Sequence, residues 1–156
     1  MALQPGQPAP DFTLYDSDKK KVSLQDYRGK KIVLLFFPFA FSSVCTKEMC
    51  EVRDNMARFN KVDAQVLGIS VDSLYTLAKF KDDQQLNFPL LSDFNKEISA
   101  SYHSLHEEFN YNMKGVSKRS AFVIDREGVI RYAAVQDNPG QMPDFEAIQK
   151  ALDSID

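Results

Sequence analysis

The feature that most constrains this chain is a buried strand followed directly by an amphipathic helix. Residues 31–37 form an apolar run without polar alternation, which is typical of a central strand covered on both faces. Pro38 ends that strand, because proline has no backbone N–H to donate to a sheet ladder. Downstream, apolar side chains recur at steps of four and three, the pattern of one helix face: Cys45, Met49, Val52, Met56 and Phe59.

Cys45 falls in the first turn of this predicted helix. We expect Ser42 or Ser43 to cap the helix by accepting a hydrogen bond from a free N–H of the first turn. Unpaired N–H groups and the positive end of the helix dipole favour a thiolate at this place. A structural alternative also stands, since free cysteine is often buried and behaves as a small hydrophobe. The position of Cys45 favours a reactive thiol.

The rest of the chain predicts further strands and helices in alternation. Residues 104–118 are polar and aromatic with little periodicity, and we predict a loop there. Strand–helix–strand–helix followed by a hairpin and a closing helix is the order of elements in the thioredoxin fold, and here an N-terminal β-hairpin is added to it. The predicted class is therefore α/β, with a central mixed sheet flanked by helices. The predicted segments are a hairpin of 12–15 and 22–24, a short turn or helix at 24–29, a strand at 64–71, a helix capped by Asp72 or Ser73 and running to about Gln84, an extended piece at 88–91, a short helix at 95–102, a hairpin of 121–124 and 129–135, and a helix opened by Pro143.

Length and charge exclude several classes of protein. The 156 residues suit one domain over residues 1–156. A net charge of −3 argues against a general nucleic-acid surface. No apolar run approaches the roughly 20 residues that cross a bilayer, and the N-terminus does not look like a secretory signal. We therefore expect a cytoplasmic protein without membrane contact. In that compartment, two cysteines five positions apart indicate catalysis or metal binding.

Four motifs, in order along the chain, carry a family resemblance. Pro38, Ser42 and Cys45 form a Pro-x-x-x-Ser-x-x-Cys pattern that resembles the active-site motif of the peroxiredoxins. Residues 8–14, 88–93 and 119–125 are similar to that family's opening, middle and arginine-bearing segments. The start of the motif and the spacing of Cys45 and Cys50 resemble the bacterioferritin comigratory protein and alkyl hydroperoxide reductase E branches.

The resemblance implies a thiol-dependent peroxidase that reduces hydrogen peroxide or alkyl hydroperoxides. Cys45 would be the peroxidatic nucleophile, and Cys50 the thiol that resolves its sulfenic acid as an intramolecular disulfide. A thioredoxin- or glutaredoxin-like reductant, no cofactor and a homodimer are also implied. Three alternatives remain: a one-Cys peroxidase resolved by an external thiol, a thiol–disulfide oxidoreductase, and a holdase or redox-sensing protein. The spacing of the cysteines disfavours the second, because it differs from Cys-x-x-Cys.

Ionisation alone makes a thiol a modest catalyst. A thiol pKa lowered from about 8.5 to near 6 gains at most ~30-fold in thiolate at pH 7. Other groups must orient the O–O bond and stabilise charge on the departing oxygen. The candidates for these tasks are Ser42, one helical turn before Cys45, and Arg119, which the resemblance directs at Cys45. We expect Pro38 to shield the thiol and Glu48, on the turn after Cys45, to anchor Arg119. From the residues alone, Ser42 could simply cap the helix, and Arg119 and Glu48 could be solvated surface charges.

The remaining candidates are less specific. Phe39, Phe41 and Phe88 could line an apolar entrance for alkyl groups, or could equally be core or subunit-contact residues. The family usually has threonine where this chain has Ser42, and serine lacks the methyl group that restricts the rotamer. No Gly-rich phosphate loop indicates a nucleotide. A zinc set fits no strong pattern, and we expect no metal; its members would be Cys45, Cys50, His103 and His106.

Overall fold

The structure is a computed structural model, and it describes residues 2–156. Within that range, nine strands and five α-helices alternate along the chain. The strands are β1 (Thr13–Asp16), β2 (Lys21–Ser23), β3 (Lys31–Phe36), β4 (Ala64–Ser70), β5 (Leu90–Ser92), β6 (Leu105–Phe109), β7 (Met113–Ser117), β8 (Ser120–Ile124) and β9 (Ile130–Val135). The helices are α1 (Ser43–Asp54), α2 (Met56–Lys61), α3 (Leu74–Gln84), α4 (Glu97–Ser101) and α5 (Phe145–Asp153).

Seven of these strands form one mixed sheet in the order β2-β1-β5-β4-β3-β8-β9. The three inner strands β3, β4 and β5 are parallel to one another. On one side, β8 pairs antiparallel with β3, and β9 pairs antiparallel with β8. On the other side, β1 of the β1–β2 hairpin pairs antiparallel with β5. The parallel crossovers require helices over the sheet faces. The predicted α/β class, mixed sheet and N-terminal hairpin are confirmed.

Alternate residues of β3 enter two separate cores, which explains why that strand lacks polar positions. Val33 and Leu35 join a core with α1, α2, α3 and α5. Ile32, Leu34 and Phe36 join a second core on the opposite face. That second face is covered by the N-terminal segment, the 3-10 turn at Leu24–Tyr27 and side chains around α4.

The predicted loop at residues 104–118 is wrong, because this segment forms the β6–β7 hairpin. Its turn places Tyr111 and Asn112 at φ 61°, and two successive left-handed residues suit the twist of a tight hairpin. The strands pair outside the main sheet and bury little beyond Val116 and Ser117. They therefore lack the apolar alternation from which strands are predicted.

The helix predicted after Pro38 is divided in two at Asn55, which leaves the helical region at φ −111° and ψ 13°. Its predicted apolar side chains nevertheless all enter one core. Ser73, not Asp72, caps α3, since its hydroxyl accepts from the Thr76 N–H. Across residues 2–156, no helix is both long enough and apolar enough to cross a membrane.

Candidate active site

The candidate site lies where β3 ends beside the end of β4. Because β3 and β4 are parallel, their carboxyl ends share one sheet edge, the usual place for a site in such folds. Pro38 is buried at this edge. The following loop is held by Asp72, whose Oδ2 accepts from the Ala40 N–H at 2.7 Å and from the Ser70 hydroxyl at 2.7 Å. The connection that leads to Cys45 is therefore fixed by the neighbouring strand.

Cys45 is the third residue of α1, and only 1% of its surface is exposed. The first helical hydrogen bond runs from the Thr46 N–H to the Ser42 carbonyl at 2.9 Å. Residues before Thr46 therefore have no N–H partner within the helix, and their N–H groups carry the positive end of the dipole. The buried thiol lies within that first turn, as the spacing predicted.

Arg119 reaches Cys45 because of the register between β3 and β8. Ser120 pairs with Phe36 at the end of β3, so the residue before it falls beside the loop that follows β3. The Arg119 side chain is 1% exposed, and its Nη2 donates to Cys45 Sγ at 3.2 Å. The surface interpretation of this arginine is wrong.

Two further groups hold the Arg119 guanidinium in place. Its Nη1 donates to Glu48 Oε1, one helical turn after Cys45. Its Nε and Nη2 donate to the Pro139 carbonyl at 3.2 and 3.0 Å. A planar guanidinium bonded on three sides has little rotational freedom. Its charge is therefore fixed against the sulfur.

Glu48 is completely buried, so the surface interpretation is wrong for this residue too. Its Oε1 accepts from Arg119, whereas Oε2 is buried with no hydrogen-bond partner among residues 2–156. Burial raises the pKa of Glu48 to about 7, against the opposing charge and hydrogen bond of Arg119. The site thus holds one cation between two acidic groups, Cys45 and Glu48.

Ser42 occupies the N-cap position, but its side chain makes no capping bond. Its hydroxyl donates to the Phe39 carbonyl at 2.8 Å, and its own carbonyl accepts from the Thr46 hydroxyl at 2.8 Å. The prediction that the Ser42 hydroxyl accepts from the first turn is therefore wrong. The hydroxyl closes the loop between Pro38 and α1 instead.

Cys50 lies in the same helix, where it is half-buried and points to the end of α3. Its Sγ donates to Gln84 Oε1 at 3.3 Å. Both cysteines are free thiols. Residues 2–156 bring together no three His, Cys, Asp or Glu side chains that could hold a metal ion.

The three candidate phenylalanines have different surroundings. The Phe39 ring is half-buried and packs edge-on against Phe109 of the β6–β7 hairpin, with ring centres 5.8 Å apart. Phe41 is 49% exposed and leans on Phe80, with ring centres 5.1 Å apart. Phe88 is 2% exposed within the core that also contains α3. Phe88 is therefore a core residue and not part of an apolar entrance.

Sequence reasoning missed two contributors to this site, Pro139 and Phe109. Pro139 acts through its main-chain carbonyl, which no residue-type pattern reveals. Phe109 lies in the segment for which a loop was predicted. The only signal for Pro139 was the chain break at residues 137–140.

Comparison with known proteins identifies the arrangement. The sequence profile of the AhpC/TSA family matches residues 5–133. The chain belongs to the AhpC/TSA family. It is 38% identical over 156 residues to alkyl hydroperoxide reductase E of Mycobacterium bovis, covering 98% of each chain. It is 39% identical over 144 residues to peroxiredoxin-2 of Bos taurus, covering 86% of this chain and 70% of the bovine protein.

Solved structures agree with this assignment. The crystal structure of the peroxidoxin BcpB from Mycobacterium tuberculosis superimposes with a TM-score of 0.87 at 27% identity, covering 99% of each chain. The protein is therefore a peroxiredoxin with a thioredoxin-like fold, and an oxidoreductase of the thiol-dependent peroxidase class. The resemblance inferred from the four sequence motifs is confirmed.

Proposed function

We propose that Cys45 is the nucleophile with which this peroxiredoxin reduces hydrogen peroxide and alkyl hydroperoxides. Its thiolate attacks the terminal oxygen of ROOH, so that an S–O bond forms while the O–O bond breaks. Cys45 is oxidised to a sulfenic acid, and the peroxide is reduced to water or an alcohol after the leaving oxygen takes up a proton. The observation that carries this proposal is the buried contact of 3.2 Å between Arg119 Nη2 and Cys45 Sγ at the start of α1.

Three other residues have proposed parts in this step. Arg119 stabilises the thiolate and then the charge that develops on the departing oxygen, because a fixed cation needs no reorganisation during the reaction. Ser42 orients the peroxide by turning its hydroxyl away from the Phe39 carbonyl. Pro38 keeps water from the sulfur, a role supported by its burial. The relatives named as hydroperoxide reductase and peroxiredoxin support the same reaction.

We assign resolution of the sulfenic acid to Cys50. Its thiolate attacks the sulfur of oxidised Cys45, so that the S–S bond forms while the S–O bond breaks, and the departing hydroxide takes up a proton from solvent to become water. The folded helix prevents this step: five helical residues turn the side chain by about 140° and separate the Cα atoms by ~8–9 Å. A disulfide usually needs Cα atoms within about 6.8 Å. The first two turns of α1 must therefore unwind, breaking the Cys50–Gln84 hydrogen bond and the contact with Arg119.

Mass spectrometry tests both thiols after one equivalent of hydrogen peroxide is added to the reduced protein. We expect a disulfide between Cys45 and Cys50, and faster amide exchange through residues 43–51 than in the reduced protein. Cys45→Ser should abolish peroxide consumption, whereas Cys50→Ser should stop at the sulfenic acid. A lasting sulfenic acid in the unchanged protein, with Cys50 reduced and α1 still protected, would assign resolution to an external thiol.

A thioredoxin-type dithiol is our proposed reductant for this disulfide, by analogy with the family. The test is peroxide turnover with a thioredoxin system beside a glutaredoxin and glutathione system. Faster turnover with the second system would overturn the choice.

We also propose that the chain is one domain, acts in the cytoplasm and forms a homodimer. Phe39 and the exposed Phe41 are placed in this proposal at the apolar entrance to the site. Light scattering of the reduced protein at several concentrations tests the dimer. A monomeric mass at every concentration would remove it.

A further inference from the structure

We propose that Glu48 is the acid that protonates the departing oxygen when Cys45 reduces a peroxide. This inference rests on the proposed role of Cys45. It gives Glu48 a chemical role in the reaction in addition to its contact with Arg119. The proton is carried on Glu48 Oε2 before the reaction, while Oε1 remains bonded to Arg119. While Cys45 is a sulfenic acid, Glu48 stays a carboxylate, and it recovers a proton from solvent when Cys45 returns to the thiolate.

The starting observation is the unsatisfied oxygen of a fully buried side chain. Glu48 is 0% exposed, and its Oε2 has no hydrogen-bond partner in the part of the chain that the structure describes. A charged carboxylate with a bare oxygen away from water is strongly unfavourable. A proton on Oε2 removes that charge and makes this oxygen a proton donor. The burial that creates this situation also raises the pKa of Glu48 into the neutral range.

Charge balance gives the proton a function. Among residues 2–156, Arg119 is the single cation in contact with both Cys45 and Glu48. When Cys45 is a thiolate, a neutral Glu48 leaves the three groups without net charge. When Cys45 has become a neutral sulfenic acid, an ionised Glu48 again leaves them without net charge. Moving one proton out of Glu48 during the reaction therefore keeps the buried group neutral throughout.

The chemistry needs such a proton. Attack of the thiolate on ROOH releases RO⁻, and hydroxide or an alkoxide is a poor leaving group because the pKa of water is about 15.7. A general acid positioned near the reacting atoms typically contributes about 10²–10⁴-fold. Arg119 cannot supply the proton, because its guanidinium stays protonated in proteins. Glu48 is the acid that shares Arg119 with the attacking sulfur.

The charged neighbours of Glu48 come from two elements. On α1 it is Glu51, whose charge raises the pKa of Glu48 further, while Cys45 is linked to Glu48 through Arg119. At the start of β8 it is Arg119, which lowers that pKa. As the pH rises through the neutral range, Glu48 loses its proton, and the reaction with hydrogen peroxide should lose its acid while the thiolate remains.

Two oxidants with different leaving groups test the proposal. Hydrogen peroxide needs a proton on the departing oxygen, whereas peracetic acid releases acetate, which needs none because a carboxylic acid has a pKa of only about 4. Glu48→Gln retains an acceptor for Arg119 but cannot act as an acid. In stopped-flow oxidation at pH 7, we expect this variant to react about 10²-fold more slowly with hydrogen peroxide. Its reaction with peracetic acid should change by no more than about threefold, well below a general-acid effect.

The exposed Glu51 of the same helix provides the matched control. Glu51→Gln removes only the smallest of the influences on the pKa of Glu48, and it should change the rate by less than about threefold with either oxidant. The retained reaction with peracetic acid shows that Glu48→Gln is folded and that Arg119 still serves Cys45. Equal slowing with both oxidants would mean a structural role for Glu48 and would overturn the proposal. So would an unchanged reaction with hydrogen peroxide. Failure of wild type with both oxidants, or reaction by Cys45→Ser, would instead overturn the proposed function.

Infrared difference spectra provide a second measurement that requires no change in rate. The Cys50→Ser protein is oxidised with one equivalent of hydrogen peroxide near pH 6.5, so that Cys45 stops at the sulfenic acid. We expect a carboxylic acid C=O band to disappear and a carboxylate band to appear. Both changes should be absent when Glu48→Gln is added. A spectrum without loss of a carboxylic acid would overturn the proposal.

Discussion

Replacing Arg119 by methionine should separate the structural and catalytic effects of the cation. Methionine fills a similar apolar volume but leaves Glu48 without its partner, and the Pro139 carbonyl without two donors. Removing one member of a buried ion pair typically costs about 3–5 kcal/mol, because the other charge remains buried and unpaired. We expect a loss near the lower end of that range in the free energy of unfolding of Arg119→Met at pH 8, where Glu48 of the wild type is mostly ionised and the unpaired carboxyl of the variant must take up a proton or remain charged. The loss should be smaller at pH 5, where Glu48 is neutral.

The double variant Arg119→Met/Glu48→Gln tests the origin of this cost. Removing both charges takes away the unpaired carboxylate, and replacement of a complete buried pair is often close to neutral. We therefore expect the double variant to recover at least about 2 kcal/mol at pH 8 relative to Arg119→Met. Urea unfolding of the reduced proteins measures these differences. A double variant as unstable as Arg119→Met would refute the idea that the pair causes the loss.

Activity should not follow stability in this cycle. Both variants lack the donor on Cys45 Sγ, and loss of one donor that stabilises developing charge costs about 10²–10³-fold in rate. The second-order rate of oxidation by peroxide is measured from pH 6 to pH 10. We expect a defect that remains at high pH, where every thiol is ionised. A defect that vanished at high pH would leave Arg119 only the task of stabilising the thiolate.

Three further predictions concern other parts of the site. Because burial raises the pKa of Glu48 from 4.5 to about 7, its protonated form favours the fold below pH 4.5, and that stability is lost as the pH rises to about 7. The test compares Cys45→Ser with Cys45→Ser/Glu48→Gln by urea unfolding at several pH values. Between pH 4.5 and pH 7, the protein that keeps Glu48 should lose about 3 kcal/mol of unfolding free energy relative to the other, at 1.36 kcal/mol per pH unit. A difference between the two proteins that does not change with pH would contradict the prediction. Ser42→Thr should react with peroxide at least as fast as wild type, whereas Ser42→Val, whose side chain has the shape of threonine without the hydroxyl, should react about 10²-fold more slowly. Equal rates for these two variants would mean that the Ser42 hydroxyl has only a structural role. Phe109→Ala removes the edge-on ring contact with Phe39. It should lower the rate with an aromatic hydroperoxide about tenfold relative to the rate with hydrogen peroxide. An unchanged ratio of the two rates would show that the Phe39–Phe109 pair does not select the substrate.

The local part of the site could be predicted from the sequence because it depends on residues that are close along the chain. Proline at the end of a strand, and apolar side chains at steps of three and four, place Cys45 in the first turn of a helix. Helical geometry likewise separates Cys45 from Cys50 before any tertiary contact is known. The unbroken apolar run of residues 31–37 required cover on both faces, and two cores provide it.

The tertiary structure alone decided which distant groups meet Cys45. Arg119 lies 74 residues away, and it reaches the thiol because Ser120 pairs with Phe36 in an antiparallel register that no local pattern encodes. The same pairing removes Arg119 and Glu48 from water, which changed two apparent surface charges into a buried ion pair. Pro139 contributes a main-chain carbonyl, which every residue possesses, so its role depends only on where the chain passes. Phe88 and Phe39 are alike in the sequence, and only packing places one in the core and the other against a hairpin beside Pro38.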